Sequence, residues 1–143
     1  MINFKEPHNL VIVDDEEDIC ELISQKINHM FPERFVVTTF TNPKEALAYV
    51  EQNDIKILIS DINMPGGFGD IFLNKCHELG QGIMTITMTG YPNFTKAVMR
   101  YRDGDVGFLV KPIDFDQLKG ILNMCLENLK LWDQLIHKIV PTK

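Results

Sequence analysis

The sequence of 143 residues has no long apolar run and no block of basic residues. No stretch approaches the roughly 20 apolar residues that span a bilayer. The first ten residues, MINFKEPHNL, contain no apolar segment of signal-peptide length. We therefore expect no membrane association and a cytoplasmic location. The 14 Lys and Arg residues face 20 Asp and Glu residues, a formal net charge of −6, and this balance argues against direct binding to nucleic-acid phosphates.

Cysteine is also scarce. Cys20, Cys76 and Cys125 are odd in number, widely separated and set among apolar residues at helical spacing. This arrangement predicts buried, reduced thiols rather than a disulfide or a metal site. The length suits one domain with a substantial core and is too short for two ordinary domains.

Short apolar segments alternate with helical patterns along the chain. The predicted strands are Asn9–Val13, Phe35–Phe40, Ile55–Ser60, Met84–Met88 and Gly107–Val110. Five helical patterns follow them, and the second begins with Asn42 as a capping residue before Pro43. The alternation predicts a doubly wound α/β domain with a parallel sheet covered on both faces. In such folds ligands bind beyond the carboxyl ends of the strands, so we look for function there.

Polar residues occupy those positions. Asp14 and Asp15 follow the first strand, Asp61 follows the third, Thr89 the fourth and Lys111 the fifth. Three carboxylates held close together repel one another unless a cation shares them, and hard oxygen ligands suit Mg²⁺. One central carboxylate is then placed to act as a nucleophile toward phosphorus, because phosphoryl transfer needs mainly positioning and charge compensation. The remaining acidic residues of the first block, Glu16, Glu17 and Asp18, are expected to serve the first turn of a helix.

Four segments carry a family resemblance. VIVDDEED, SDINMPGGFGDIFL, TMTGYP and FLVKP resemble, in order and approximate spacing, the sequence marks of response-regulator receiver domains of two-component signalling. The resemblance covers residues 8–127. It implies a flavodoxin-like fold with strand order 2-1-3-4-5, and a signalling domain that promotes only its own phosphorylation and dephosphorylation rather than an enzyme.

The resemblance also implies roles for individual residues. Asp61 would receive a phosphoryl group from a histidine kinase or phosphotransfer protein. Asp14, Asp15, Asp61 and the backbone carbonyl of Asn63 would hold Mg²⁺, with Mn²⁺ as a possible substitute. Lys111 would pair first with Asp61 and then with the phosphoryl oxygens.

Three further features belong to the implied switch. Thr89 would move toward the phosphoryl group, and Phe108 would turn inward to fill the space that it leaves. Phe108 is equally consistent with an ordinary core aromatic. The Lys111–Pro112 bond would be cis, so that the ammonium group points into the site. The surface of the fourth helix, fifth strand and fifth helix would change on phosphorylation.

The sequence departs from the family pattern in three places. Gly66, Gly67 and Phe68 occur where polar residues are usual, and they predict a mobile or contact-forming loop. Asp105 stands where a small apolar residue is usual. Tyr91 and Asn63 flank the site and are positioned to influence the rate of dephosphorylation.

The last segment has an apolar seam that extends past the usual end of the fold. Its members recur at steps of three and four, and they are Leu118, Leu122, Cys125, Leu129, Trp132, Ile136 and Ile139. We predict a helix from Asp116 to His137, with a receiver domain at 1–127 and an extension at 128–143. Leu129, Trp132, Ile136 and Ile139 would mediate homodimerisation or lead to an output domain absent from this chain. The alternative is a helix that folds back on its own domain.

Two other functions fit parts of the pattern. Phosphatases of the haloacid-dehalogenase type also use an Asp nucleophile and Mg²⁺ after a parallel strand. Their Asp-x-Asp signature is missing, because Asn63 stands second after Asp61, and so is an efficient general acid. A receiver-like interaction module that takes no phosphate is the other alternative.

Overall fold

A computed structural model describes residues 3–65 and 69–139, and these form five strands and five helices. The strands are β1 His8–Val13, β2 Phe35–Phe40, β3 Ile55–Asp61, β4 Met84–Thr89 and β5 Gly107–Val110. The helices are α1 Glu17–Met30, α2 Pro43–Gln52, α3 Gly69–Glu78, α4 Phe94–Arg102 and α5 Phe115–Ile139. Within these described ranges, no helix is both long enough and apolar enough to span a membrane. The loop prediction for Gly66, Gly67 and Phe68 lies outside the described residues.

The sheet is parallel throughout, with the order β2-β1-β3-β4-β5. This confirms the predicted fold class and strand order. Each predicted strand agrees with the observed one to within one residue at either end. All seven residues of β3 are buried, as expected for a central strand covered on both faces.

The two faces of the sheet have separate cores. On one face, residues such as Leu10, Ile12 and Ile86 pack against α1 and α5. On the other face, Val11 and Leu58 pack against α2 and α3. The alternation of side chains along each strand assigns neighbouring residues to opposite cores.

The starts of two helices test the capping predictions. The Asn42 side chain accepts hydrogen bonds from the backbone N–H groups of Lys44 and Glu45, at 2.8 and 3.4 Å, so this cap is confirmed. For α1 the prediction was partly wrong. Glu16 occupies the capping position, but its side chain makes no cap hydrogen bond. Its own backbone N–H donates to Asp14 Oδ1 at 2.9 Å. Glu17 and Asp18 lie in the first turn, as predicted.

Helix α5 is slightly longer than predicted, and its exposure changes along its length. Leu118, Leu122 and Cys125 are buried against the sheet. Leu129 is also buried, at 3% exposure, so the expectation that it would lie open to water is wrong. It contributes to a groove wall formed together with Phe4 and Met84 of its own domain. Of the predicted seam residues beyond it, Trp132 at 46% and Ile139 at 75% exposure are open to solvent. Residues 140–143 of the predicted extension lie outside the described part of the chain.

The three cysteines are free and buried, as predicted. Burial raises the pKa of the Cys20 thiol to about 11 and those of Cys76 and Cys125 to about 12. These thiols therefore stay protonated at neutral pH and are poor nucleophiles.

Candidate functional site

The carboxyl ends of four neighbouring strands bring the predicted site residues to one edge of the sheet. Asp14 and Asp15 follow β1, Asp61 ends β3, Thr89 ends β4 and Lys111 follows β5. One carboxylate oxygen from each of the three aspartates lies within 4.8 Å of the others. Asp14 and Asp61 are buried, whereas Asp15 is exposed. The three aspartates, together with Lys111, form what we call the acidic site.

Lys111 joins the two buried carboxylates. Its Nζ donates to Asp14 Oδ2 at 2.6 Å and to Asp61 Oδ2 at 3.1 Å. The Lys111–Pro112 peptide bond is cis, in agreement with the sequence prediction. The Lys111 side chain is 20% exposed, so the ammonium group reaches the carboxylates from the solvent-facing side.

The pKa values at this site reflect competition between burial and charge pairing. Burial raises the pKa of Asp14 above its ordinary value of 3.8, although hydrogen bonds from Lys111 and the Glu16 N–H oppose the rise. Burial tends to lower the pKa of Lys111, but its hydrogen bonds to Asp14 and Asp61 outweigh that effect, and the pKa is raised. Lys111 is therefore charged at neutral pH.

Asp61 is held in a defined orientation. Its Oδ1 accepts the backbone N–H of Asn63 at 2.9 Å, and its Oδ2 accepts from Lys111. A carboxylate has about four lone-pair positions, so these two bonds leave Asp61 able to accept further partners. Such a carboxylate, fixed and incompletely satisfied, is suited to bind a cation or to attack an electrophile.

The acidic site fits a small hard cation. Its donors are carboxylate oxygens from three residues, which is the ligand type that Mg²⁺ prefers, and the exposed Asp15 gives the site an opening to water for the remaining ligands. Mutual repulsion among the three carboxylates is only partly relieved by Lys111, because one ammonium group faces three negative charges.

Thr89 lies at the edge of the acidic site but bonds elsewhere. Its hydroxyl donates to the side-chain oxygen of Asn63, and Thr89 Oγ1 accepts the backbone N–H of Tyr91 at 3.0 Å. Phe108 is partly buried and pairs in register with Thr87 across β4 and β5. The structure thus places Thr89 at the edge of the site, with its hydroxyl directed to Asn63, and Phe108 in register with a residue two positions earlier on β4.

Comparison with known proteins decides the family. The family model described as the response regulator receiver domain matches residues 10–123. The chain is a receiver domain of the response-regulator family.

Relatives and solved structures agree with this assignment. The receiver domain is 31% identical over 110 residues to the C4-dicarboxylate transport transcriptional regulatory protein DctD of Rhizobium meliloti, which covers 77% of this chain and 23% of that protein. It is 29% identical over 121 residues to an uncharacterized 14.6 kDa protein of Leptolyngbya boryana, covering 82% of this chain and 90% of that one. A CheY-like receiver domain from Methanospirillum hungatei has a similar fold, with a TM-score of 0.76, 24% identity, and coverage of 86% and 96%.

The match in length differs between relatives. The receiver domain spans about a quarter of the length of the curated transcriptional regulators that it matches, at 23% for DctD and 24% for NtrC of Salmonella typhimurium.

Sequence reasoning missed two features close to the site of the receiver domain. The first is the side chain of Asn63, which it considered as a flanking residue and not as the acceptor of the Thr89 hydroxyl. The second is a group of buried polar side chains behind Thr89, which includes Thr85, Thr87 and Arg100. The alternating threonines of the β4 segment MTITMT were the available signal, because polar residues at every second position of a buried strand all face one side.

Proposed function

We propose that Asp61 accepts a phosphoryl group from a phosphohistidine of a histidine kinase or a phosphotransfer protein. The observation that carries the proposal is the environment of Asp61. This carboxylate is 4% exposed, is bonded to Lys111, and lies within metal-sharing distance of Asp14 and Asp15. Three carboxylates held this close repel one another unless a cation shares them, so the arrangement favours a role in cation binding and chemistry over a role in stability alone.

The transfer step is a displacement at phosphorus, with Asp61 as the attacking group. An oxygen of the Asp61 carboxylate forms a bond to phosphorus while the phosphorus–nitrogen bond of the phosphohistidine breaks, and the departing nitrogen keeps the electron pair and takes up a proton. Lys111 holds the carboxylate in place and then offers its ammonium charge to the phosphoryl oxygens. Asp14, Asp15, Asp61 and the backbone carbonyl of Asn63 would hold Mg²⁺ or Mn²⁺, which supplies charge compensation for the phosphoryl group. The same groups serve hydrolysis of the acyl phosphate, so the domain promotes only its own phosphorylation and dephosphorylation.

The signal leaves the site through Thr89. Its hydroxyl donates a hydrogen bond to the side-chain oxygen of Asn63. A phosphoryl group on Asp61 would offer this hydroxyl a stronger, charged acceptor. We propose that Thr89 changes partner, that Phe108 moves inward, and that the surface of α4, β5 and α5 changes with them. Asn63 and Tyr91 contact Thr89 and are placed to influence how long the phosphoryl group survives.

The location and output of the chain are also proposals. We propose that the receiver domain occupies residues 1–127, acts in the cytoplasm, does not span a membrane and does not bind nucleic acid directly. The matched stretch makes up about a quarter of the transcriptional regulators among its relatives, so we assign contact with DNA to another domain or to a partner.

The extension at 128–143 is proposed to mediate homodimerisation or to connect to an output domain. Trp132 and Ile139 present apolar surface to solvent, with Ile136 partly buried between them. Leu129 does not take part in this surface, because its own domain covers it. Light scattering at increasing protein concentration tests the dimer. The Trp132→Glu variant, which puts a charge on the proposed contact surface, should stay monomeric. A protein that is monomeric at every concentration, with and without phosphorylation, would refute it.

Intact mass spectrometry tests the main proposal. Native protein is incubated with acetyl phosphate and Mg²⁺, and we expect a single phosphoryl adduct that is absent in Asp61→Asn and retained in Glu17→Gln. The Glu17 variant is a matched control, because it removes one acidic charge from the first turn of α1, next to the site but outside it. An unmodified native protein that still binds partners would favour the interaction-module alternative, and sustained turnover of a generic phosphate ester would favour the phosphatase alternative.

A further inference from the structure

A buried ion pair lies behind the switch residues, at positions that the proposed phosphorylation does not use. Among the nine residues of α4, all described by the structure, Arg100 is the buried one, with 1% exposure. Its guanidinium group binds Asp105 in a fork, through Nε to Oδ2 at 3.0 Å and Nη2 to Oδ1 at 2.8 Å. The Asp105 side chain is 2% exposed. Asp105 is also the residue that departs from the small apolar residue usual at this position.

Asp105 also binds the central sheet. Thr85 Oγ1 donates to Asp105 Oδ1 at 2.6 Å, and Thr87 Oγ1 donates to Asp105 Oδ2. With the two bonds from Arg100, the carboxylate accepts four hydrogen bonds, which fills its lone-pair positions. The pair therefore fastens α4 to β4 through a carboxylate that has no capacity for another ligand.

Arg100 also connects α4 to α3. Its Nη1 donates to Asn74 Oδ1 at 3.1 Å and lies 3.6 Å from Asp70 Oδ1. Lys96, one turn earlier on α4, forms an exposed ion pair with Asp70 at 2.6 Å. The buried pair and the contacts of Arg100 with α3 anchor the inner side of α4, whereas the Lys96–Asp70 pair lies on its exposed side. We refer to Arg100, Asp105, Thr85 and Thr87 as the α4 clamp.

The α4 clamp adjoins both proposed switch residues through Thr87. Thr87 is two residues before Thr89, so both side chains lie on the same face of β4. Thr87 also pairs in register with Phe108 of β5. A shift of Thr89 toward Asp61, or of Phe108 toward β4, would therefore act on the strand segment to which Asp105 is bonded.

Stability alone is a weak reason for such a pair, because desolvation of two charges offsets much of their attraction and apolar residues of similar volume often stabilise equally well. We infer that the α4 clamp holds α4 in the arrangement in which Thr89 bonds to Asn63, and so sets the threshold that phosphorylation of Asp61 must overcome. This inference rests on the proposed function. Its physical basis is that a ligand spends part of its binding free energy on any conformational change it requires.

The test compares the affinity of native and clamp-free proteins for beryllofluoride in the presence of Mg²⁺. In Arg100→Met/Asp105→Asn both charges are removed together, and the Asn side chain keeps an acceptor for a threonine hydroxyl. We expect the double variant to bind beryllofluoride roughly 2- to 30-fold more tightly than native protein. Arg100→Lys keeps the charge but not the fork, and we expect an intermediate affinity. Equal or weaker binding by the double variant overturns the inference.

Lys96→Met serves as the matched control, because it removes a charge pair between α4 and α3 on the exposed side and leaves the clamp intact. We expect its affinity to stay within about twofold of native, as is usual for surface ion pairs. If the clamp has only a structural role, the double variant should bind beryllofluoride no more tightly than native protein, because a loosened fold does not favour the bound state. A Lys96→Met effect as large as that of the double variant would also contradict the inference.

Amide hydrogen exchange without ligand separates this inference from the proposed function. We expect faster exchange across α4 in the double variant, with exchange in α1 unchanged. If α4 exchanges as slowly as in native protein, the clamp does not restrain the helix and the inference is wrong while the proposed function stands. If native protein fails to bind beryllofluoride and its α4 exchange still depends on the clamp, the proposed function is what fails.

Discussion

Asp61 and Asp105 are both buried carboxylates paired with a cation, yet their surroundings differ in one decisive respect. Asp61 accepts one bond from Lys111 and one from a backbone N–H. Asp105 accepts four bonds, two from the fork of Arg100 and two from threonine hydroxyls. The first carboxylate retains capacity for a new partner, and the second does not.

The two cations differ in the same way. Lys111 is a point charge shared by two carboxylates, with a side chain 20% exposed. Arg100 is fixed by a planar fork and is 1% exposed. An ammonium on a flexible stem is able to follow a charge that moves, whereas a bidentate guanidinium holds one geometry. Burial is common to both carboxylates, so the unfilled acceptor positions are what distinguish Asp61, the proposed phosphoacceptor, from Asp105.

The largest expected effect on stability comes from removing one partner of the Arg100–Asp105 ion pair. Arg100→Met leaves Asp105 buried without its cation, and we expect a loss of about 3–5 kcal/mol in the free energy of unfolding. In Arg100→Met/Asp105→Asn most of that loss should be recovered, because no unpaired charge remains. Urea unfolding measures both values. A single variant as stable as the double one would show that Asp105 finds other compensation.

The next largest effect on stability comes from binding of Mg²⁺ to the acidic site. Mg²⁺ at 100 times its dissociation constant should raise the free energy of unfolding by about 2.7 kcal/mol, because only the folded state presents the acidic site. Thermal unfolding should show this increase in native protein and in Glu17→Ala. We expect Asp15→Ala to abolish it. If Asp15→Ala keeps the full stabilisation by Mg²⁺, Asp15 is not a metal ligand.

A smaller effect is expected from removing one of the four donors to Asp105. Thr87→Val should lower the free energy of unfolding by about 1.5 kcal/mol, the lower end for a hydrogen bond to a charged group, since three donors remain. Thr39→Val is the matched control on β2, because Thr39 is exposed, and a change within about 0.5 kcal/mol is expected there. Equal effects in the two variants would show that Thr87 contributes nothing through its hydroxyl.

The smallest effect follows from the raised pKa of Asp14. A carboxyl group whose folded pKa lies above its ordinary value binds protons more readily in the folded state, so its contribution to stability is greatest at low pH and is lost as pH rises through the folded pKa. Asp14→Asn should therefore raise the unfolding midpoint of metal-free protein at pH 7. The gain should shrink as pH falls toward 3.8, the ordinary pKa of the group. If Asp14→Asn raises the unfolding midpoint by the same amount at every pH, the raised pKa of Asp14 is not the cause.

Much of this fold was predictable from local patterns. Apolar segments of strand length fixed the five strands to within one residue, and the parallel alternation placed Asp14, Asp61, Thr89 and Lys111 at one edge. These conclusions need only the strand ends, which are local, and the geometric rule that parallel strands finish at the same edge.

The parts that were missed depend on contacts between distant segments. Leu129 was expected at the surface because the heptad pattern does not record how far along α5 the helix stays packed on its own domain, which buries Leu129. The partner of Asp105 was unpredictable because an isolated acidic residue before a strand gives no indication of a buried arginine in the last turn of the preceding helix. Glu16 lies at the capping position without a cap hydrogen bond, because Glu is not among the short side chains that reach back to the first free N–H groups of a helix.

The burial of the three native thiols has a practical consequence for spectroscopy. Cys20, Cys76 and Cys125 remain protonated and shielded at the pH where maleimides react with exposed cysteines, so the folded protein needs no cysteine-free background before labelling. Tyr101 on α4 is 78% exposed, and Tyr101→Cys would give one reactive position on the helix that the clamp restrains. A fluorophore attached there would report movement of α4 in real time as phosphoryl donors are added.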